Sequence, residues 1–130
     1  MSEVRTHLQI DHGLCGAPEA LEPGRARARF ITDERMRVDA QGLVHGGFVF
    51  GLVDHAAMLA VNDPLVVLGS SDVRFLAPVR VGDEVVASAS VTETKGKKRV
   101  VSVAAHVGER KVLEGSLVAF VLEAHVLDAR

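Results

Sequence analysis

Cysteine, tryptophan and tyrosine are scarce or missing in this sequence, and neither sign of charge dominates it. One of the 130 residues is cysteine, five are phenylalanine and none is tryptophan or tyrosine. The single cysteine, Cys15, excludes an intrachain disulfide and is typical of a reducing compartment. So few aromatic rings argue against a surface that stacks nucleic-acid bases. The formal net charge of −2 argues against the basic face that nucleic-acid binding requires.

Signals for secretion, membrane insertion and metal binding are also lacking. The first residues, MSEVRTHLQIDHG, contain no apolar core of a signal peptide. The most apolar stretch is too short and too interrupted to cross a bilayer, which takes about 20 apolar residues. The six histidines show no ligand spacing such as H-x-x-x-H. We therefore expect a cytoplasmic protein that forms one domain over residues 1–130, without a metal ion or another cofactor.

The strongest feature present is the apolar stretch LVHGGFVFGLVDHAAMLAVN, from Leu43 to Asn62. It predicts a helix that begins at or just after the pair Gly46-Gly47. The helix is expected to end at Asn62, because asparagine suits a helix cap and Pro64 disfavours helical backbone in the residue before it. Nearly every position between these ends is apolar, so the helix is expected to be buried on most sides.

Three ionisable residues interrupt this stretch: Asp54 and His55 inside the helix and His45 at its start. A carboxylate in so apolar a helix is either paired or functional. His55 is interpreted as a core or interface histidine whose hydrogen bonds are satisfied. Cys15 has no local partner with which to form a Cys–His nucleophile.

Segments of strand character surround the helix. RARARFI (Arg25–Ile31) alternates apolar and charged residues, as a half-buried strand does. No long element is expected before Pro23, apart from a short strand or helical turn near Leu8–Leu14. Further strands are predicted at Leu65–Pro78, with a bulge near Gly69, and at Glu84–Thr94, Arg99–Val107 and Lys111–Ala124, with Lys95–Lys98 as a hairpin tip.

These elements predict an α+β fold in which an antiparallel sheet wraps one buried helix. Short connections between the later strands favour antiparallel pairing. A helix that is apolar all round and a sheet with one inward face can bury each other in this way. Because Val118–Leu122 is apolar on both faces, part of the outer surface is expected to be covered by another subunit.

The motifs in this arrangement resemble those of the hotdog-fold acyl-CoA thioesterases, and among them the PaaI-like (phenylacetic acid degradation) group. The resemblance rests on GLVHGG (Gly42–Gly47), on LVD (Leu52–Asp54) and on FLAPVRVGDEV (Phe75–Val85). It implies the hotdog fold, with about five to six antiparallel strands around one long central helix. It also implies an acyl-CoA substrate and no cofactor.

The resemblance carries catalytic roles onto four residues. In that family the amide after the motif histidine polarises the thioester carbonyl, which implies Gly46. The helix acid acts as general base or nucleophile, which implies Asp54. His45 is then a positioning or capping residue more than a base. Many members have asparagine six residues before the histidine; Asp39 stands there and either positions substrate or water or is only a loop residue.

The remaining candidates would bind the substrate. Gly47 lets a substrate approach the backbone at the helix start. A serine or threonine on the strand after the helix often assists in the family, which makes Ser70 and Ser71 candidates. Lys97 and Lys98, at the hairpin tip, form either a solvated turn or a contact for the phosphates of coenzyme A.

The spacing within the helix predicts a site shared between subunits. Nine residues at about 1.5 Å place Asp54 roughly 13 Å along the axis from His45, and nine steps of about 100° turn it to the opposite side. Asp54 is therefore not expected to act on a carbonyl held at the start of its own helix. Two antiparallel helices across a twofold axis would bring each acid to the other helix start, which predicts a homodimer or a dimer of dimers.

Hydrolysis of an acyl-CoA to the free acid and CoA is the expected activity, and two alternatives stay open. A hotdog hydratase or dehydratase acting on a 2-enoyl thioester would need a histidine–acid pair at one carbon. A non-catalytic acyl-CoA-binding module would need neither group. SSDVRFLAPVRVGDEVVASASV (Ser70–Val91) also resembles the effector domain of a bacterial lipid-synthesis repressor with this fold.

Overall fold

The computed structural model describes residues 1–128. Within them lie two α-helices, six strands and two short 3-10 turns. In chain order they are α1 (His12–Cys15), β1 (Ala17–Glu22), β2 (Arg25–Ile31), a 3-10 turn (Glu34–Met36), α2 (Gly46–Val61), β3 (Val66–Phe75), β4 (Glu84–Lys95), β5 (Lys98–Val107), β6 (Arg110–Val121) and a second 3-10 turn (Val126–Asp128).

The predicted central helix is confirmed as α2, and each of its ends has a local cause. His45 caps the start, because its side chain accepts a hydrogen bond from the amide of Gly47. The helix ends where Asn62 adopts left-handed backbone, with φ 53° and ψ 43°, while its amide still donates to the carbonyl of Met58. Pro64 follows and cannot continue the helix.

The six strands form one antiparallel sheet in the order β1-β2-β4-β5-β6-β3. Helix α2 packs mainly on the inner faces of β2, β4 and β5. Small side chains on these strands, among them Ala28, Ala87 and Ala105, are fully buried and let the helix lie close to the sheet. The predicted sheet wrapped around one helix is confirmed.

The N-terminal part of the prediction needs correction. The sequence predicts no strand where β1 lies, because Gly16 and Pro18 each indicate a break in regular secondary structure. β1 lies at an edge of the sheet, where a proline removes no required donor, and its register shifts between Pro18 and Ala20. The element expected near Leu8–Leu14 is the four-residue helix α1.

The C-terminal strand is also shorter than expected: β6 ends at Val121 and not at Ala124. The bulge near Gly69 is confirmed, because the register of β3 against β6 shifts between Leu68 and Ser70. A Cβ atom on Gly69 would lie 2.5 Å from the ring of Phe120. Glycine at the bulge therefore lets Phe120 cover part of the outer face within the subunit.

Candidate active site at the start of the central helix

Among residues 1–128, the start of α2 presents the Gly46 amide as a backbone donor without a partner. The amide of Gly47 donates to Nδ1 of His45 over 2.8 Å, and the amide of Phe48 donates to the carbonyl of His45 over 3.1 Å. The amide of Gly46 makes no hydrogen bond within residues 1–128. A free N–H at the positive end of a helix is suited to an oxygen that gains negative charge.

An open depression of about 420 Å³ adjoins this amide. It is lined by Gly46 and by the segment Phe75–Pro78 at the end of β3. A Cβ atom on Gly46 would lie 3.2 Å from the ring of Phe75, so glycine keeps the backbone open beside that ring. Phe75 is 56% exposed and Leu76 is 47% exposed, which gives the depression an apolar rim.

The loop before the helix is held by Asp39. Its Oδ1 accepts hydrogen bonds from the amides of Gln41 and Leu43, at 3.0 and 3.1 Å. Arg37 donates to the carbonyls of Asp39 and Ala40 and fixes the same turn. Asp39 therefore shapes the backbone that leads into the helix, by a mechanism that sequence spacing alone does not reveal.

Asp54 lies in the middle of α2, in an apolar setting. Its Oδ1 is buried and has no hydrogen-bond partner in the described part of the chain. Burial raises the pKa of this carboxyl group from 3.8 to about 6. A buried carboxylate with an unused acceptor is costly for folding, which marks it as a functional candidate.

Asp54 and the free amide of Gly46 do not meet within one subunit. The helix begins at Gly46, so eight residues separate the two groups, which corresponds to about 12 Å along the axis. The exposed residue Gly47 and the partly exposed residues Phe50 and Gly51 lie on the same side of the helix as Asp54. These positions recur at three- to four-residue spacing and form one stripe along the helix.

His55 faces the N-terminal segment and is 2% exposed. Its Nδ1 lies 3.2 Å from the carbonyl of Cys15, and its ring stacks with those of His7 and His12 at centroid distances of 6.2 and 6.3 Å. Burial lowers the pKa of His55, which keeps it neutral. Burial, together with the charges of Asp11 and Asp54, raises the pKa of the Cys15 thiol, which suppresses the nucleophilic thiolate.

Ser70 and Ser71 lie on opposite faces of β3. Residues paired across an antiparallel ladder share a face of the sheet. Ser71 pairs with Leu117, whose side chain is fully buried in the core, so Ser71 lies on the helix side. Ser70 pairs with Val118 and lies on the outer side. The bulge at Gly69 shifts this alternation, so the sequence by itself left the choice open.

Lys97 and Lys98 lie far from Gly46 in the same subunit. The carbonyl of Lys97 accepts from the amide of Val121, which pairs with Val66 at the beginning of β3. Gly46 instead contacts the end of β3 at Phe75. Ten residues of strand separate these ends, a distance of roughly 30 Å.

Other sites have less support in residues 1–128. A larger cavity of about 540 Å³ lies beside Met1, Leu21, Arg25 and Ser90, and no predicted site residue lines it. No group of three or more His, Cys, Asp or Glu side chains within this range is arranged to hold a metal ion. No helix within the same range is long and apolar enough to cross a membrane.

Comparison with known protein families agrees with this architecture. The thioesterase superfamily model matches residues 41–114, more than half of the chain. The chain belongs to the thioesterase superfamily and has its hotdog fold. An uncharacterized protein of Pyrococcus horikoshii, PH1136, has a crystal structure 51% identical in sequence, with a TM-score of 0.96 over 98% of each chain. The phenylacetic acid degradation protein PaaI of Thermus thermophilus is 25% identical, with a TM-score of 0.76 over 84% of this chain and 95% of that one.

Two curated relatives are longer than this chain. A methylthioribose-1-phosphate isomerase of Aquifex aeolicus is 50% identical over 113 residues, which are 87% of this chain and 25% of that protein. The transcription factor FapR of Caldanaerobacter subterraneus is 30% identical over 88 residues, which are 68% of this chain and 44% of that protein. The chain therefore spans less than half the length of either relative.

Proposed function

We propose that this protein is an acyl-CoA thioesterase whose two active sites are shared between the subunits of a homodimer. The buried, unpartnered Oδ1 of Asp54 carries this proposal. Asp54 would remove a proton from a water molecule, whose oxygen attacks the thioester carbonyl carbon. The carbonyl oxygen becomes an oxyanion at the partner subunit's free helix-start amide, at Gly46. The C–S bond then breaks, and the proton held by Asp54 returns to the departing CoA thiolate.

Two features support the catalytic parts of this proposal. A pKa near 6 leaves Asp54 largely ionised at neutral pH and makes it a stronger base than an exposed aspartate. The Gly46 amide has no partner in the described part of the chain, whereas the Gly47 amide is already bonded to His45. A single oxyanion donor in comparable sites is worth on the order of 10²–10³ in rate.

The edge strand β3 supports self-association. Its outer side pairs with no strand among residues 1–128, and it is ten residues long. A long open edge invites pairing with another strand. If two β3 strands pair in antiparallel orientation about a twofold axis, the Phe75 end of one adjoins the Val66 end of the other. In this arrangement Lys97 and Lys98 of one subunit would lie on the same side of the dimer as the other subunit's helix start, where they could meet the phosphates at the far end of the pantetheine arm of a CoA thioester bound at Gly46.

The relatives leave one alternative of a different class, a non-catalytic acyl-CoA-binding module. The match to FapR favours it, because that protein is a transcription factor and is 30% identical to this chain over 88 aligned residues. The hydratase alternative is disfavoured, because Nδ1 of His45 is occupied by the Gly47 amide.

We assign the isomerase chemistry of the Aquifex protein to the part of that protein outside the matched quarter. A cytoplasmic location is also proposed, because the single Cys15 suits a reducing compartment.

The test is CoA release from acetyl-, hexanoyl-, palmitoyl-, phenylacetyl- and benzoyl-CoA, followed with a thiol reagent. Wild-type protein is compared with Asp54→Asn and with Asp72→Asn, a matched control on the outer face of β3. We expect release by the wild type and the control, and a fall of at least about 100-fold in Asp54→Asn. Unchanged release in a folded Asp54→Asn variant would remove Asp54 from the mechanism. Tight binding without release would favour the binding module.

A further inference from the structure

Gly51 is an unexplained glycine in the middle of α2. Glycine inside a helix is unfavourable relative to alanine, because it loses more backbone freedom on folding. Gly51 is not among the glycines with positive φ, so its backbone conformation suits any residue. The folding of the subunit therefore gives no conformational reason for glycine at this position.

Packing within the subunit gives no reason either. A Cβ atom on Gly51 would meet no atom of residues 1–128 within 4 Å. The other two glycines of α2 differ: a Cβ atom on Gly46 would lie 3.2 Å from Phe75, and one on Gly47 would lie 2.7 Å from the ring of His45. The space beside Gly51 is therefore open within the described residues of the subunit.

The position of Gly51 relates this space to Asp54. Gly51 precedes Asp54 by three residues, so the two lie on the same side of the helix and about 4.5 Å apart along its axis. Helical side chains lean toward the N-terminus, so the Asp54 carboxyl group leans over the turn that contains Gly51. The open space therefore lies one helical turn before the Asp54 side chain, whose Oδ1 has no hydrogen-bond partner within residues 1–128.

We propose that Gly51 sets the width of the acyl group that the site accepts, which rests on the thioesterase function proposed above. A carbonyl carbon attacked by water from Asp54 must lie within a few ångströms of that carboxylate. The atoms bonded to this carbon are then the ones that reach Gly51. A missing side chain there makes room for acyl groups branched at the carbon next to the carbonyl, whereas an unbranched chain needs less width.

The test uses two isomeric substrates, butyryl-CoA and isobutyryl-CoA, which differ only in that branch. Wild type is compared with Gly51→Ala and Gly51→Val, and with Ser88→Ala on the outer sheet face as a control. We expect Gly51→Ala to lower kcat/KM for isobutyryl-CoA at least about tenfold and for butyryl-CoA less than about threefold. Gly51→Val should increase the difference. Ser88→Ala should leave the ratio unchanged.

Stability serves as an independent control. Alanine in the helix should raise Tm by about 1–4 °C, so the loss for the branched substrate would occur in a better-folded protein. Equal effects on both substrates would overturn the proposal. A shift in dimer dissociation with an unchanged ratio would also overturn it, because the space would then hold the partner helix.

A second readout separates this proposal from the thioesterase function. The affinities of butyryl- and isobutyryl-CoA analogues with a thioether in place of the thioester are measured by calorimetry. If the wild type binds both analogues but hydrolyses neither ester, the thioesterase function fails while the width proposal is still tested by the affinity ratio. If Gly51→Ala leaves that ratio unchanged, or if the wild type binds neither analogue, the width proposal is wrong.

Discussion

The amide of Gly47 donates a hydrogen bond to Nδ1 of His45 over 2.8 Å, so the histidine of the motif caps the helix that it precedes. An Nδ1 atom that accepts a bond cannot carry a proton, which places the proton of the neutral ring on Nε2. In this state His45 can donate through Nε2 but cannot take a proton without losing its cap. The neighbouring amide, that of Gly46, makes no hydrogen bond within residues 1–128.

Replacement of His45 tests capping against proton transfer. We expect His45→Ala to lower the free energy of unfolding by about 1 kcal/mol, because a helix cap is lost, and His45→Asn to restore most of it. If His45 mainly holds the helix start, His45→Asn should also recover most of kcat. The measurements are urea unfolding and CoA release on the same preparations. A stable His45→Asn variant that is as inactive as His45→Ala would point to a chemical role for the imidazole.

The raised pKa of Asp54 predicts a characteristic pH dependence of stability. The folded carboxyl group has a pKa of about 6, above its ordinary value of 3.8, so the folded protein binds more protons than the unfolded chain between these values. The free energy of unfolding should therefore fall as pH rises from 4 to 6. Two pKa units correspond to about 2–3 kcal/mol, an upper limit because the group is partly exposed. Asp54→Asn should remove this part of the pH dependence.

The same group should control the rate with the opposite trend. If Asp54 acts as the base, kcat/KM should rise with pH and level off above about 6, as the carboxylate forms. The profile is measured between pH 5 and 8 with buffers of constant ionic strength. A flat profile across that range, with chemistry rate-limiting, would exclude the carboxyl group as the base.

The two serines of β3 provide a matched pair for the face assignment. Ser71→Ala should lower kcat several-fold, because Ser71 lies on the helix side of the sheet with Leu117. Ser70→Ala should leave kcat within about twofold, because surface substitutions away from a site have small effects. Both variants are assayed on the best substrate of the panel. Loss of activity in Ser70→Ala alone would show that the outer face carries the function.

The basic hairpin tip is tested with a truncated substrate. Replacing Lys97 and Lys98 together by glutamine should raise KM for an acyl-CoA about tenfold and leave the acyl-pantetheine without its nucleotide unaffected, because only the former carries the nucleotide phosphates. The effect should weaken with added salt, since both lysines are exposed. Lys111→Gln, on β6, serves as a charge-matched control. Equal effects on both substrates would exclude phosphate binding by the hairpin tip.

The sequence determined the features that depend on neighbouring residues. Both ends of α2 follow from Gly46-Gly47, Asn62 and Pro64, because caps and helix breakers act within a few positions. The alternation of Arg25–Ile31 specified a half-buried strand. The apolar stretch around Asp54 predicted that its carboxyl group would be buried.

Only the tertiary structure decided the features that depend on residues distant in the chain. β1 forms because β2 lies beside it, despite Pro18. Ser71 faces the helix because the bulge at Gly69 offsets the register against β6. Oδ1 of Asp54 lacks a hydrogen-bond partner, and the space beside Gly51 is open, because no described residue from a distant part of the chain packs against either of them. Local propensity sets where an element begins and ends, whereas pairing, register and unfilled space arise only when distant segments pack together.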